Sequence, residues 1–341
     1  MSNDIRLFKK DSITKLLEVL KTSKAKFLAP VKKNGGVYIS EITSADSISF
    51  DHIQTNLSVK SVVFPQTEEI LNYTFEDNKD VTMNDRDLGA MADVVVFGAR
   101  PCEASGFGLL NSIFTWDTED IFFKKRLEKT TVITIGCKKA DDFCFCTSVN
   151  LSPGNTAGSD IFLTEFKDGE YLAEILTEKG KKLADMSKDA FGHAPSGVKK
   201  EEHLAKLPAK FDIAKLQAKL PDLFEKIEIW KDQAMRCVGC GACAFSCPAC
   251  VCFDIQDESD KKGGKRLRCW DSCGFSFFTM HTSGHNPRHI QAERWRQRVM
   301  HKFSYYKERF GGILCVGCGR CSRNCPADMN LSEHLKSLME A

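Results

Sequence analysis

The sequence predicts an α+β protein, in which an amino-terminal α/β domain is followed by an α-helical domain. In the first half of the chain, short segments rich in Val, Ile and Phe alternate with amphipathic segments, as strands alternate with helices. Residues 187–210 are rich in Lys, Ala, Gly and Pro and indicate an interdomain connection. We therefore predict an α/β domain over residues 1–186, a connecting segment over 187–222 and a helical domain over 223–341.

The strands of the first domain are predicted from β-rich segments that are bounded by turn residues. They are expected at residues 61–64, 93–98, 131–136, 160–166 and 171–176. Amphipathic stretches predict helices at residues 12–20 and 107–113. This order predicts a sheet that is covered by helices.

The second domain is predicted from helical patterns around two cysteine-rich segments. Amphipathic helices are expected at residues 213–220 and 223–230, and a long basic helix is expected at about residues 288–306. Between Cys247 and Cys315 lie 67 residues with no strand pattern comparable to those of the first half. We therefore expect a helical scaffold between these two cysteines.

Composition limits the class of protein. The 341 residues include 48 Lys and Arg against 46 Asp and Glu, so the formal net charge is only +2 and gives no global indication of nucleic-acid binding. No apolar stretch approaches the roughly 20 residues of a membrane span. The first residues, MSNDIRLFKKDS, contain no apolar stretch that would serve as a signal peptide. We expect a cytoplasmic protein without a membrane span.

One cysteine motif occurs twice with identical spacing. The first cysteine run contains Cys237, Cys240, Cys243 and Cys247. The second cysteine run contains Cys315, Cys318, Cys321 and Cys325. A proline follows the last cysteine of each run, which completes the C-x₂-C-x₂-C-x₃-C-P pattern of bacterial two-cluster ferredoxins. The repeat predicts a ferredoxin-like domain that holds two [4Fe–4S] clusters and transfers electrons.

The ferredoxin pattern also predicts which cysteines share a cluster, because the fourth cysteine of each run binds the cluster of the other run. This crossing assigns one cluster to Cys237, Cys240, Cys243 and Cys325. It assigns the other cluster to Cys315, Cys318, Cys321 and Cys247. Disulfides are disfavoured in a reducing cytoplasm. Zinc is disfavoured because a zinc site uses two close ligand pairs separated by a loop, whereas each run supplies four thiols in one short segment.

A second set of cysteines lies in the first half of the chain. This amino-terminal cysteine quartet consists of Cys102, Cys137, Cys144 and Cys146. Cys102 and Cys137 each follow a predicted strand, at the position where the strand ends of α/β domains build sites. We interpret the quartet as the ligands of a third [4Fe–4S] cluster, in preference to buried free cysteines that only fill the core.

The remaining cysteines lie between the two runs. This third cysteine group consists of Cys250, Cys252, Cys269 and Cys273. The alternatives are a further cluster or packing around the ferredoxin clusters. Because no complete cluster spacing is recognisable, we favour packing or a role beside the clusters.

The predicted basic helix has two alternative roles. Its Lys and Arg residues are interleaved with Trp295, Tyr305 and Tyr306, a composition that also occurs in nucleic-acid-binding surfaces. Beside anionic clusters, however, such a helix more simply balances their charge or docks an acidic partner. We favour the latter role and expect no nucleic-acid partner.

Longer segments around the cysteines resemble those of one protein family. In the carboxy-terminal half they are CVGCGACAFSCPACVCFD, RCWDSCGFSFFTMHTSGHNPR, HKFSYYKERFG and CVGCGRCSRNCP. In the amino-terminal half they are VVFGARPCEA, DIFFKKR, CKKADDFCFC and SDIFLTEF. Together they resemble the iron–sulfur subunit that is common to anaerobic sulfite reductase and to cytoplasmic sulfhydrogenase, where it is the beta subunit. The quartet matches family positions, whereas Cys269 matches none.

The resemblance implies an electron-transfer subunit without substrate chemistry of its own. In such complexes the subunit lies between a flavoprotein, which oxidises NAD(P)H with FAD and a [2Fe–2S] cluster, and a terminal catalytic subunit. The terminal subunit is a sirohaem sulfite reductase in one branch and a nickel–iron hydrogenase in the other. We favour a sulfite reductase complex that converts sulfite to sulfide. The alternative is a sulfhydrogenase or a related flavin-linked complex.

Overall fold

A computed structural model describes residues 4–76, 80–84 and 87–341. The strands are β1 (Asp4–Lys9), β2 (Lys26–Lys33), β3 (Gly36–Glu41), β4 (Thr67–Glu76), β5 (Asp80–Asn84), β6 (Val94–Ala99), β7 (Thr130–Ile135), β8 (Ile161–Lys167), β9 (Glu170–Ile175), β10 (Phe191–His193), β11 (Phe253–Ser259) and β12 (Gly263–Trp270). The helices are α1 (Ile13–Thr22), α2 (Pro101–Phe114), α3 (Ile121–Lys129), α4 (Glu178–Met186), α5 (Ile213–Leu223), α6 (Ile227–Ala234), α7 (Ala242–Phe245), α8 (Gln291–Met300), α9 (Tyr306–Phe310), α10 (Arg320–Arg323) and α11 (Leu331–Glu340). This mixture of sheets and helices agrees with the predicted α+β class.

The larger sheet carries the first half of the chain. Its strands follow the order β10-β1-β9-β8-β7-β6-β2-β3, and β8, β7, β6 and β2 are parallel neighbours. Side chains alternate between the two faces, so Val95 and Phe97 enter one core with α1 while Val96 enters another with α2 and α3. Strands β6 to β9 and helices α1 and α2 occupy the predicted positions.

The strand predicted at residues 61–64 is wrong. Residues Val59–Val62 form a 3₁₀ helix, which is followed by buried Val63 and Phe64. The apolar character of this segment reflects burial beneath α2 and β12, because Val59, Val63 and Phe64 share a core with Phe107 and Trp270. Burial alone produced the strand-like pattern.

The smaller sheet corrects the prediction that only helices lie between the two cysteine runs. It has the order β11-β12-β4-β5 and therefore combines strands from both halves of the chain. The residues of β11 are all exposed, so this strand lacks the apolar alternation by which strands are recognised. Cross-strand ion pairs hold it to β12 instead, among them Asp257 with Arg266 at 2.7 Å.

The carboxy-terminal helices surround a separate apolar core. Helices α5, α6, α8 and α11 contribute Leu216, Trp230, Val299 and Leu335, which are fully buried. The segment predicted as the connection, residues 187–222, supplies β10 to the larger sheet and α5 to this core. Within the described ranges, no helix has the length and apolar character that crossing a membrane requires.

Candidate iron–sulfur sites

The first cysteine run begins immediately after α6 and turns sharply. Gly239 and Gly241 have φ angles of +66° and +75°, in the left-handed region that glycine adopts without a steric penalty. A Cβ atom on Gly241 would lie 2.5 Å from the ring of Phe275. The glycines between the cysteines are therefore required by the path of the loop.

This loop forms a cleft that brings together the four thiols assigned to the first predicted cluster. Cys237, Cys240, Cys243 and Cys325 all line the cleft, and Cys321 lines it as well. Gln291 donates a hydrogen bond from Nε2 to the Sγ atom of Cys237 at 3.1 Å. The arrangement fits the predicted crossing between the two runs, and the assignment of these thiols as ligands stays a prediction.

The second cysteine run forms an equivalent loop in the interior. Cys315 and Cys318 are buried, and the backbone N–H of Gly317 donates to the Sγ atom of Cys315 at 3.4 Å. Such backbone donors stabilise anionic sulfur in a cluster. Lys302 links this run to Cys247, because its Nζ donates to the Cys247 Sγ at 3.4 Å and to the Leu314 carbonyl at 2.9 Å.

The amino-terminal quartet gathers at the ends of β6 and β7. Cys102 lies in the first turn of α2, directly after β6, and Cys137 follows β7. Cys144 and Cys146 come from the next loop and lie within electrostatic range of Cys137. The structure therefore brings together the four thiols that were predicted to hold a third cluster, and their role as ligands stays a prediction.

The quartet lies directly against the second cysteine run. Arg323, in α10, donates to the Sγ atom of Cys144 at 3.2 Å, to the Cys318 carbonyl at 2.7 Å and to Asp141 at 2.7 Å. Burial would raise the pKa of Asp141, but the hydrogen bond and charge of Arg323 outweigh burial and lower it. Cys102 and Cys318 also pack in one apolar cluster.

A buried ion pair also links the quartet to the second cysteine run. The guanidinium of Arg320 lies 2.6 Å from the carboxylate of Glu103, and the two side chains are 1% and 0% exposed. Glu103 adjoins Cys102 in α2, and Arg320 lies between Cys318 and Cys321 in α10. The sequence did not predict this pair, because a Glu or an Arg in a helix is usually a solvent-exposed charged residue.

Several of these thiols are shielded from solvent, as metal ligands commonly are. Burial raises the pKa of Cys146, Cys243 and Cys315 to about 12, so the free thiols are protonated at neutral pH. Metal binding displaces such protons and fixes the thiolate form. Among the described residues, no group of three or more His, Cys, Asp or Glu side chains is arranged to hold a single metal ion.

Part of the predicted basic helix faces the interior of the protein. Arg298 and Lys302, one turn apart, are 4% and 3% exposed. Arg298 donates to the Cys243 carbonyl at 2.9 Å and approaches the Cys250 Sγ at 3.7 Å. These two cations therefore face cysteine sulfur atoms and are inaccessible to a nucleic acid.

Comparisons with known proteins identify an iron–sulfur domain in this chain. Residues 236–329 match the 4Fe-4S dicluster domain family. The chain is 30% identical to sulfhydrogenase 2 subunit beta of Pyrococcus furiosus, over 91% of this chain and 90% of that protein. The chain belongs to this family of iron–sulfur beta subunits. The dicluster domain establishes [4Fe–4S] clusters as cofactors of this chain.

More distant relatives share part of the chain. The F420-dependent formate dehydrogenase 1 subunit beta of Methanococcus maripaludis is 26% identical, over 69% of this chain and 57% of that protein. The F420-dependent formate dehydrogenase subunit beta of Methanocaldococcus jannaschii is 27% identical, over 48% of this chain and 37% of that protein. No solved structure matches the chain.

Proposed function

We propose that the protein is the electron-relay beta subunit of a cytoplasmic hydrogenase complex. It would pass electrons between an NAD(P)H-oxidising flavoprotein, which carries FAD and a [2Fe–2S] cluster, and a nickel–iron hydrogenase subunit, without substrate chemistry of its own. The observation that carries this proposal is the similarity to a sulfhydrogenase beta subunit along 91% of the chain. That similarity favours the hydrogenase complex over the sulfite reductase complex that the motifs alone favoured.

The order of the thiol groups supports a relay. Cys240 is exposed, so the first site is accessible from the surface. Cys321 lines that site and belongs to the second run, and Cys318 of the second run packs against Cys102 of the quartet. The bound [4Fe–4S] clusters would supply one-electron redox chemistry. The chain would hold three of them in a continuous series.

A formate dehydrogenase complex is the second candidate for the catalytic partner. Two formate dehydrogenase beta subunits are similar to this chain, but each similarity covers a smaller share of both proteins than the sulfhydrogenase similarity does. This difference in coverage supports the hydrogenase complex more strongly than the formate dehydrogenase complex.

The partner assignment is tested by purifying the tagged chain anaerobically from its native cells together with its bound subunits. We expect nickel and FAD in the complex and hydrogen-dependent reduction of NAD⁺ or NADP⁺. Sirohaem with sulfite reduction would contradict the hydrogenase assignment and restore the sulfite reductase. Formate-dependent reduction without nickel would assign the second candidate.

The third cluster is tested by replacing a cysteine of the quartet. Cys146→Ser should remove about four iron atoms per chain, because a [4Fe–4S] cube would lose one of its thiolates. The electron paramagnetic resonance (EPR) signals of the two ferredoxin-type clusters should persist. Cys269→Ser, in β12 and outside the quartet, is the control and should retain all iron. Unchanged iron in Cys146→Ser would reject the quartet as a cluster site.

A further inference from the structure

Three members of the third cysteine group converge at the base of the β11–β12 hairpin. Cys252 directly precedes β11 and Cys273 follows β12, and the backbone N–H of Asp271 donates to the Cys252 carbonyl at 2.9 Å. The Cys252 and Cys273 thiols lie within interaction range of each other. The hairpin that sequence reasoning missed is thus the element that brings these thiols together.

Cys250 joins this pair from the end of the first cysteine run. It lies within electrostatic range of Cys252 and Cys273 and within interaction range of Cys247. Cys250 and Cys273 are 7% and 9% exposed. Cys247, which the ferredoxin crossing assigns to the second cluster, therefore lies at the border of this group. Cys269 lies in β12 opposite Asp254.

Three buried cations surround these thiols. Lys60, Arg298 and Lys302 are 3%, 4% and 3% exposed. Among residues 4–76, 80–84 and 87–341, none of the three has a carboxylate partner within ion-pair distance, and the Nε atom of Arg298 has no hydrogen-bond partner. A buried cation is costly unless an anion compensates it. Neutral thiols do not provide that anion, whereas metal-bound thiolates do.

Lys60 lies beside Cys250 of this group. Its Nζ donates to the carbonyls of Cys250 and Ala244 at 3.0 and 3.2 Å and lies 3.9 Å from the ring centroid of Trp270. Its largest charge interaction is with Cys250. Arg298 and Lys302 also face Cys243 and Cys321 of the ferredoxin runs. Lys60 lies within electrostatic range of Cys252 and of Cys247 as well, so it stands between the third cysteine group and the end of the first cysteine run.

We propose that Cys250, Cys252 and Cys273 supply three of the ligands of an additional iron–sulfur cluster, beside the two clusters of the dicluster domain. Soft thiolates suit iron–sulfur clusters, and the three cations compensate the negative charge of the bound thiolates. A disulfide between Cys252 and Cys273 is the main rival. It is neutral, however, and would remove two of the three thiols that could supply negative charge beside these cations. The proposal is independent of which catalytic subunit is served.

The test is an iron count with Mössbauer spectroscopy on the anaerobically purified full chain. With the additional cluster as a fourth cube, the unchanged protein should contain about 16 iron atoms per chain, since each [4Fe–4S] cube holds four. Cys252→Ser and Cys273→Ser should each lose about four iron atoms, and Cys146→Ser should lose a separate set of about four. The control is Cys269→Ser, which changes a cysteine of the same hairpin and should lose none.

The iron content of the unchanged protein distinguishes an additional cluster from zinc or a disulfide even if a variant fails to fold. About 12 iron atoms in the unchanged protein, with the Cys146→Ser loss intact, would overturn the additional cluster and leave the relay proposal standing. Zinc at this site, or a disulfide detected by mass spectrometry of protein alkylated under denaturing conditions, would overturn it as well. Lys60→Met should lower the potential of the cluster lost in Cys273→Ser, because a nearby cation stabilises the reduced form. Lys265→Met, at an exposed position of β12, should leave that potential unchanged.

Discussion

Replacing Glu103 by Gln is expected to destabilise the protein by about 3–5 kcal/mol, because the buried guanidinium of Arg320 loses its anion. Glu103 also accepts hydrogen bonds from the backbone N–H of Arg100 at 3.0 Å and from that of Val59 at 3.3 Å. Loss of this ion pair would weaken the contact between α2 and α10, which joins the quartet to the second cysteine run. Anaerobic urea denaturation followed by circular dichroism measures the change.

Two control variants make this expectation specific. Asp257→Asn removes one partner of an exposed pair and should leave the denaturation midpoint nearly unchanged. The double variant Glu103→Gln with Arg320→Met should recover much of the lost stability, since an apolar residue replaces the unpaired buried charge. A Glu103→Gln protein as stable as the Asp257→Asn protein would show that the pair does not hold this junction.

Gly317→Ala is expected to separate the second cysteine run from the quartet. Gly317 has a φ angle of +61°, and a Cβ atom would lie 2.5 Å from the backbone of Phe145 and Cys146. The Phe145 N–H donates to the Gly317 carbonyl at 2.8 Å, so the backbone has little room to shift. We expect a loss of about 2–4 kcal/mol from backbone strain and overpacking, together with loss of about four iron atoms.

The matched control is Gly311→Ala, which shares the backbone strain but has no steric conflict. Gly311 has a φ angle of +72°, and a Cβ atom there would meet nothing within 4 Å. The variant should therefore lose only about 1 kcal/mol and keep its iron. Equal stability and equal iron in the two variants would contradict the close packing of the second run on the quartet.

The sequence was most informative where local patterns carried the signal. The cysteine spacing predicted the dicluster domain, and the apolar segments of β6 to β9 predicted the central strands. The structure places Cys237, Cys240, Cys243 and Cys325 around one cleft, as the ferredoxin crossing predicts. These features depend on residues that are close in sequence or on a repeat with a known geometry.

Other features depend on contacts between distant segments and left no local pattern. The exposed strand β11 is held by cross-strand ion pairs, so it lacked an apolar signal. Glu103 and Arg320 are 217 positions apart in the sequence and form a buried pair only in the folded chain. The meeting of Cys252 with Cys273 likewise requires the hairpin between them.

The relay itself is tested most directly by rapid-freeze EPR of the purified complex during turnover. After hydrogen is added to the complex with NAD⁺ or NADP⁺ present, the clusters of this chain should become reduced and reoxidised within a single turnover. Their EPR signals are expected to rise before the nicotinamide is reduced. Clusters that stay oxidised while the nicotinamide is fully reduced would contradict a relay through this chain.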